Sequence, residues 1–325
     1  MFDFDPTKGL RAGMEEYLRE MNRARLGPPP RSALAAGAGL EFFSLPAHLA
    51  LTAPPYVALG AYLRRRGNLS RGILDLGCGC GGGTCFLKRR SPRGTFVAGL
   101  DLLRPLLARA AGACPPGPAF LAATAVALPF PEGAFSLVSS VFSLVHHLDA
   151  PALKAVFREA ARVLEPGGIF VFTTPNRGLS QELYHPNRGD APSLRFSRLN
   201  RREFAPEGLR SFLDGLVESP EGLFDGYALY GLFNPVFQPV WEETVREMGR
   251  KRFGGNRLTA ASAALARYVL TPSSRTRYFL SRLNENAAKM KASPAAIASS
   301  AAFGPVGAGD GALHFLAALR KGEGP

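Results

Sequence analysis

Short apolar runs alternate with amphipathic stretches through the middle of the chain. Apolar runs of the length of one buried strand occur at 73–76, 95–100, 119–125, 137–141 and 169–174. Between the last two of them, residues 151–164 place apolar side chains at helical spacing. Strands that alternate with helices are typical of a parallel sheet with helices on both faces. The pattern therefore predicts an α/β fold with a doubly wound sheet.

The two flanks of this region have a helical character. Residues 14–25 have helical spacing, and 40–62 are rich in apolar and aromatic residues but are interrupted by prolines, which predicts two or three short helices. After residue 231, helical patterns recur at 240–250, 258–270 and 277–290. Helices are therefore expected before and after the sheet-forming region.

Composition narrows the class of protein. The chain has 325 residues, of which 46% are hydrophobic and 20% charged, enough for one large α/β domain with or without a lid. Its net charge of +13 permits contact with nucleic acid, but the arginines are dispersed at the edges of elements, where a solvated face is the simpler interpretation. No signal peptide and no apolar run of about 18 residues is recognised, so no membrane span and a cytoplasmic location are expected.

The cysteines do not have the spacing of a metal site. Three of the four, Cys78, Cys80 and Cys85, lie in one glycine-rich segment, and Cys114 lies apart. Cys78-x-Cys80 differs from the Cys-x-x-Cys spacing of zinc sites, and no histidine follows at ligand distance. The sequence predicts reduced thiols packed under a loop, and no metal.

The glycine-rich segment is the strongest local signal. A short apolar strand pattern ends at Leu76, five glycines follow within 77–83, and a helical run begins near Phe86. Glycine accepts positive φ and lets a ligand lie against the backbone, at which the next helix points its free N–H groups. A dinucleotide fingerprint would need Gly-x-Gly-x-x-Gly, and a P-loop would need a lysine before Thr84. Neither pattern is present.

The segment is similar to motif I of the class I S-adenosylmethionine (SAM) methyltransferases, written Asp-x-Gly-x-Gly-x-Gly, with Asp75 as its acid. Residues 128–130 (Leu-Pro-Phe) and 162–168 (Arg-Val-Leu-Glu-Pro-Gly-Gly) resemble further signatures of the small-molecule members. These motifs span 73–176 in the expected order. The resemblance implies a seven-stranded, mostly parallel sheet with N-terminal helices and a helical insertion before the last strand.

The resemblance also implies a division of the chain. It assigns 1–70 to an N-terminal helical cap, 71–231 to the SAM-binding core, 232–310 to a helical insertion or lid, and 311–325 to the closing strand of the core. Residues 204–213 resemble the short helix before the sixth strand, which is expected at 224–230. The closing strand is expected to be antiparallel to its neighbours.

The resemblance implies a set of residues that bind SAM. Asp101, at the end of the second strand, suits hydrogen bonds to both ribose hydroxyls, and Leu102 would touch the adenine face. Two departures bear on recognition: Thr124 stands where the family usually has an acid, and Ser136 stands where it usually has aspartate. The full set of expected cofactor-binding residues is Asp75, Gly77, Cys78, Gly79, Gly81, Asp101, Leu102, Thr124, Ala125, Val126, Ser140 and Val141.

Methyl transfer from a sulfonium is an in-line displacement with a neutral leaving group, so alignment and exclusion of water matter most. A base helps if the nucleophile is acidic. His147 stands where many family members have histidine after the fourth strand, and His185 follows the fifth strand. These two are the candidate catalytic bases, while His48 and His314 are expected to be packed or surface residues.

The acceptor class is inferred from what is missing. Ser139–Phe142 lack the Asn/Asp-Pro-Pro-Tyr pattern of enzymes that methylate amino groups of nucleobases. The apolar leader and the aromatic segment 223–241 favour a small, apolar or aromatic metabolite, as in specialised metabolism, and a homodimer stays open. The alternatives are an RNA or protein methyltransferase that uses the basic surface, and a non-catalytic module of the same fold.

Overall fold

The structure of the chain is a computed structural model. It describes residues 3–23, 45–113, 117–176, 204–253, 272–307 and 311–322. His185, Cys114 and the helix expected at 258–270 lie outside these described residues.

A single eight-stranded sheet organises the molecule, in the order β3-β2-β1-β4-β5-β8-β6-β7. Strands β1 to β5 are parallel, and β8 lies antiparallel between β5 and β6. This arrangement confirms the predicted α/β fold with a mostly parallel, doubly wound sheet. The strands are β1 Gly72–Leu76, β2 Val97–Asp101, β3 Ala119–Ala122, β4 Phe135–Ser140, β5 Leu164–Pro175, β6 Gly226–Phe233, β7 Ala302–Pro305 and β8 His314–Arg320.

The eighth strand is the difference from the expected seven. Strand β7 pairs antiparallel with β6 at the edge of the sheet, from Phe233↔Ala302 to Tyr230↔Pro305. It has four residues, among them a glycine and a proline, and so has no alternating pattern that the sequence could reveal. It lies within the segment 232–310 that the sequence assigned to a helical insertion.

Helices cover both faces of the sheet. None of the helices in the described ranges is long and apolar enough to cross a membrane. A helical turn at Leu45–Ala47 and a π-helical turn at His48–Thr52 lead into the helix Ala53–Arg66. The helices are α1 Leu10–Arg23, α2 Ala53–Arg66, α3 Gly82–Arg90, α4 Arg104–Ala113, α5 Ala150–Val163, α6 Pro206–Val217, α7 Gln238–Phe253, α8 Pro272–Lys289 and α9 Pro294–Ser300.

The strand period of two divides the core into two layers. On one face, Ile73, Leu137 and Val171 pack with side chains of α1, α2, α7, α8 and α9. On the other face, alternate residues such as Leu74 and Phe170 pack with α5 and α6. The N-terminal helices and the helices of the 232–310 segment therefore share the first face.

Candidate functional site

The glycine loop, residues 77–83, lies where the strand order reverses. Strand β1 has β2 on one side and β4 on the other, so the carboxyl end of β1 is the switch point at which ligands bind in open α/β sheets. Gly77, Gly79 and Gly81 have φ of 67°, 52° and 75°. The backbone N–H groups of Gly77 and Cys78 donate to Leu100 O at 2.7 and 3.0 Å, which ties the loop to the end of β2.

At two positions of the loop, neighbouring side chains leave no room for a Cβ atom, so glycine is required. A Cβ atom on Gly77 would lie 1.7 Å from Ser143 Oγ, and one on Gly83 would lie 2.0 Å from the Tyr56 ring. Ser143 follows β4 and Tyr56 belongs to α2, so the loop is packed between two distant parts of the chain. The sequence showed that glycines were needed here but not which residues made them necessary.

Asp75 lies beneath the glycine loop and is completely buried. Its carboxylate accepts hydrogen bonds from the hydroxyls of Tyr56 at 3.1 and 3.3 Å, Thr84 at 2.7 Å and Ser139 at 2.7 Å. Burial raises the pKa of Asp75 to about 6, although these three hydrogen bonds act to lower it. The carboxylate therefore connects β1 with α2, α3 and β4. It is oriented inward, whereas the sequence led us to expect it to face a cofactor.

Asp101 ends β2 beside the glycine loop and is only partly buried. Its Oδ2 accepts from the Gly79 N–H at 3.0 Å, and its Oδ1 accepts from the Leu103 N–H at 2.9 Å. A carboxylate has about four lone-pair positions, so acceptor capacity remains for a ligand. Both interpretations that the sequence offered are compatible with this geometry, namely the turn before α4 and a ligand contact.

Apolar side chains are exposed next to Asp101. Leu102 is 69% exposed, Leu103 47% and Val126 37%. An exposed apolar patch, unlike a single exposed side chain, is a common feature of binding surfaces. These three residues flank the carboxyl ends of β2 and β3, where the sequence placed the adenine face.

The segment after β3 is held as a turn. Thr124 Oγ1 accepts from the Val126 N–H at 3.3 Å, so the hydroxyl that replaces the usual acid stabilises its own turn. Ala125 is buried, and Val126 is exposed. Thr124 thus stabilises the backbone turn that would lie next to an adenine ring.

Arg162 fixes the continuation of this turn. Its guanidinium donates to Phe130 O at 2.8 Å, to Leu128 O at 3.0 Å and to the Glu159 carboxylate, which in turn accepts from the Leu128 N–H. The Arg162 guanidinium lowers the pKa of Glu159. The Arg-Val-Leu motif therefore contributes a clamp on the 128–130 loop.

Replacing Arg162 by alanine is expected to destabilise the fold by about 1–2 kcal/mol, because two carbonyl groups and Glu159 lose a charged donor. The free energy of unfolding in urea measures the effect. Arg158→Ala is a matched control, since Arg158 lies on the same helix as Arg162 but pairs with the exposed Glu221, and its loss should change stability much less. Equal losses in the two variants would show that Arg162 does not clamp the loop.

Ser136 lies near the amino end of β4, at the end of the sheet opposite the glycine loop. It is the second residue of β4, its Oγ accepts from the Arg71 N–H at 3.0 Å, and it donates to Glu165 Oε1 at 2.5 Å. Ser70 donates to the same carboxylate. The departure from aspartate at 136 is therefore part of a hydrogen-bond network at the amino ends of β1 and β4, far along the strands from the glycine loop.

The carboxyl end of β4 leads into a group of aromatic rings that we name the histidine cluster: Phe142, His146, His147 and His314. The His146 ring lies 5.4 Å from Phe142 and 4.0 Å from His147 between centroids. His314, from the start of β8, stacks on Phe142 at 4.5 Å and 9°. His147 is half-buried, while His146 and His314 are 1% and 4% exposed. His314, expected to be a packed or surface residue, is packed, and the sequence did not indicate its position near His146.

Phe142 holds an unusual backbone conformation at this point. Its φ of 51° is one of two positive values among the described non-glycine residues. Its N–H donates to Thr173 Oγ1 at 2.6 Å, which anchors it to β5. Backbone strain of this kind clusters at functional sites. Ser140 and Val141, just before it, are buried at the end of β4.

The described ranges hold no group of three or more histidine, cysteine, aspartate or glutamate side chains that could bind a metal ion. His48, which was expected to be a packed or surface residue, is bonded to the Tyr17 hydroxyl at 2.6 Å under α2. The polar chemistry of the site is thus supplied by carboxylates, hydroxyls, imidazoles and backbone N–H groups.

Comparisons with known proteins agree with this geometry. Residues 73–168 match the family described as a methyltransferase domain. The chain is 41% identical over 112 residues to demethylmenaquinone methyltransferase of Thermus thermophilus, covering 33% of this chain and 49% of that protein. It is 31% identical over 180 residues to 2-methyl-6-phytyl-1,4-hydroquinone methyltransferase of Synechocystis, covering 53% and 52%.

A third relative is the fatty-acid O-methyltransferase of Mycolicibacterium smegmatis, 30% identical over 186 residues, covering 53% of this chain and 64% of that protein. This chain spans about half the length of the first two relatives. The segment that matches the family, residues 73–168, begins in β1, contains the glycine loop near its start and ends in β5.

Proposed function

We propose that the protein is a class I S-adenosylmethionine-dependent methyltransferase that methylates a small, apolar acceptor. Residues 73–168 match a methyltransferase domain, and the relatives named above are methyltransferases. The observation that carries the proposal is the glycine loop, with three positive φ values at the switch point and Asp101 beside it. The named acceptors of the relatives, a demethylmenaquinone, a hydroquinone and a fatty acid, support an apolar substrate.

The residues present fit SAM. The cofactor would supply a methyl group on a positively charged sulfur, together with a ribose and an adenine. Asp101 has acceptor capacity for the ribose hydroxyls, and Leu102 and Val126 offer exposed apolar surface for the adenine. The turn at Thr124–Val126, in which the Val126 N–H donates to Thr124 Oγ1, would lie at the edge of the adenine. Because the glycine loop carries no side chains at 77, 79 and 81, the cofactor would approach its backbone there, on the sides that Ser143, Ala110 and Phe120 do not already occupy.

Asp75 has an indirect role in this proposal. Its oxygens are occupied by three hydroxyl donors and it is fully buried, so it holds the glycine loop and α2 together. Cys78 is likewise buried, with its sulfur against Gly99, and contributes through its backbone. We therefore keep Gly77, Gly79, Gly81, Asp101 and the 124–126 turn as the direct contacts.

The acceptor would lie on the other side of the switch point, towards the ends of β4 and β5. Ser140 ends β4 there and Val141 follows it, and the half-buried His147 lies just after the short helical turn that comes next. A half-buried imidazole within the site is suited to remove a proton from an acidic acceptor. The cover of α2 and the helices after 232 on this face would exclude water during transfer. His185 remains a candidate base outside the described residues.

The proposal predicts that Asp101→Ala weakens binding of S-adenosylhomocysteine by about 1–3 kcal/mol, because hydrogen bonds to the ribose are lost. Isothermal titration calorimetry measures it directly. Asp101→Asn keeps the shape and one acceptor oxygen and should show a smaller loss. Asp225→Ala is the matched control, since Asp225 pairs with Arg320 at the opposite end of the sheet. Unchanged affinity in Asp101→Ala would remove the ribose assignment.

A further inference from the structure

Two buried imidazoles of the histidine cluster lack hydrogen bonds at their Nδ1 atoms. Neither His146 Nδ1 nor His314 Nδ1 has a partner within the described part of the chain, although both atoms are buried. A buried polar group without a partner typically destabilises a fold by about 1–3 kcal/mol. Two such groups in one cluster are better explained by a ligand that satisfies them than by packing.

The cluster lies at the acceptor end of the site rather than the cofactor end. His314 pairs with Pro175 at the end of β5, and His146 follows β4 in a short 3₁₀ turn. Both strands are on the far side of β1 from Asp101. The half-buried Phe142 ring lies against both imidazoles and joins them in one cluster.

The charge state of these imidazoles limits what they can bind. Burial lowers the pKa of His314 to about 3, and burial together with His147 and His314 lowers that of His146 well below its usual range. Both rings are therefore neutral at physiological pH and offer hydrogen bonds without positive charge. A carboxylate would be buried beside them without a counter-charge, which is unfavourable. A neutral hydroxyl can both donate and accept.

We propose that His146 and His314 are specificity-determining residues that hydrogen-bond the hydroxyl of a neutral aromatic or apolar alcohol, and select it over a carboxylic acid. The proposal rests on the proposed function and names the acceptor class of the same site. The stacking of Phe142 on His314 shows that a planar ring fits against this imidazole.

The test uses the full chain saturated with S-adenosylhomocysteine and three fluorescent probes, 2-naphthol, 2-naphthoate and naphthalene. We expect 2-naphthol to bind about tenfold or more tightly than 2-naphthoate, because the carboxylate would be buried unpaired. In His314→Phe and His146→Phe the preference for 2-naphthol over naphthalene should fall about fivefold in each, the equivalent of one net hydrogen bond.

Stability separates this role from a structural one. Phenylalanine removes the unpartnered nitrogen and keeps the ring, so His314→Phe should leave the melting temperature unchanged or raise it while it lowers the preference for 2-naphthol. His48→Phe is the control: it breaks the bond to Tyr17 and should lower stability without changing probe preference.

The outcomes distinguish the two proposals. If the wild-type protein binds S-adenosylhomocysteine but both histidine variants keep the full preference for 2-naphthol, the acceptor inference fails and the methyltransferase proposal stands. The inference also fails if the wild-type protein binds 2-naphthoate or naphthalene as tightly as 2-naphthol. Absence of S-adenosylhomocysteine binding by the wild-type protein would overturn the proposed function, and this inference with it.

Discussion

Replacing Gly77 by alanine is expected to destabilise the fold by about 2–5 kcal/mol and to abolish measurable binding of S-adenosylhomocysteine. Two effects add. The residue has φ of 67°, a left-handed conformation that disfavours a side chain by about 1–2 kcal/mol. The new Cβ would also lie 1.7 Å from Ser143 Oγ, and overpacking of this kind adds about 1–3 kcal/mol. Urea unfolding and calorimetry measure the two consequences.

Two other glycines are matched controls for Gly77→Ala. Gly94 has φ of 84° with nothing within 4 Å of an added Cβ, so Gly94→Ala reports the backbone effect alone. Gly82 begins α3 and also has open space, so Gly82→Ala should be neutral or stabilising by about 0.5–1 kcal/mol. If Gly77→Ala were no worse than Gly94→Ala, the contact with Ser143 would be unimportant.

A double variant tests why position 77 requires glycine. Gly77→Ala combined with Ser143→Gly removes the overlapping hydroxyl and should recover the steric part of the loss, while the backbone part remains. A double variant no more stable than Gly77→Ala would show that the backbone conformation alone explains the requirement.

The local parts of the fold were predictable from the sequence. The five parallel strands and α5 appear where the apolar runs placed them, with shifts at their ends, because a buried parallel strand is read from one short contiguous segment. The glycine loop was predictable for the same reason. Strand β7 was not, since its pairing with β6 joins residues some 70 positions apart and its four residues have no strand pattern of their own.

The site was predictable in its residues but not in all of their partners. Asp75 and Asp101 were both identified, yet only the structure shows that Asp75 is bonded to Tyr56, Thr84 and Ser139 and is closed off from solvent. His146 and His314 lie near each other although they are far apart in the sequence, and neither histidine has a motif around it. Long-range contacts of this kind leave no signal in a single sequence.

The pH dependence of stability is expected to reveal the burial of Asp75. Its pKa is raised from 3.8 to about 6, so the folded state holds a proton more tightly than the unfolded chain. The stability associated with this proton is fully present below pH 4 and is lost as pH rises through 6. A shift of about two pH units corresponds to about 3 kcal/mol.

The Asp75→Asn variant isolates this effect, because asparagine has nearly the same shape and does not titrate. Between pH 4 and pH 7 the wild-type protein should lose about 2–3 kcal/mol of unfolding free energy relative to Asp75→Asn, as measured by urea unfolding at each pH. All other titrating groups are shared and cancel in the difference. Asp225→Asn, at a surface carboxylate that pairs with Arg320, is the matched control for the substitution itself.

The sign of this difference decides which force dominates at Asp75. If the hydrogen bonds from Tyr56, Thr84 and Ser139 outweighed burial, the folded pKa would fall below 3.8, and wild-type stability would instead drop relative to Asp75→Asn as the pH is lowered. Tyr56→Phe sharpens the comparison, because it removes one donor and should raise the pKa of Asp75 further. The window of the pH effect should then move upward. A window that stays in place would show that Tyr56 does not stabilise the ionised carboxylate, and that α2 is coupled to the glycine loop by packing alone.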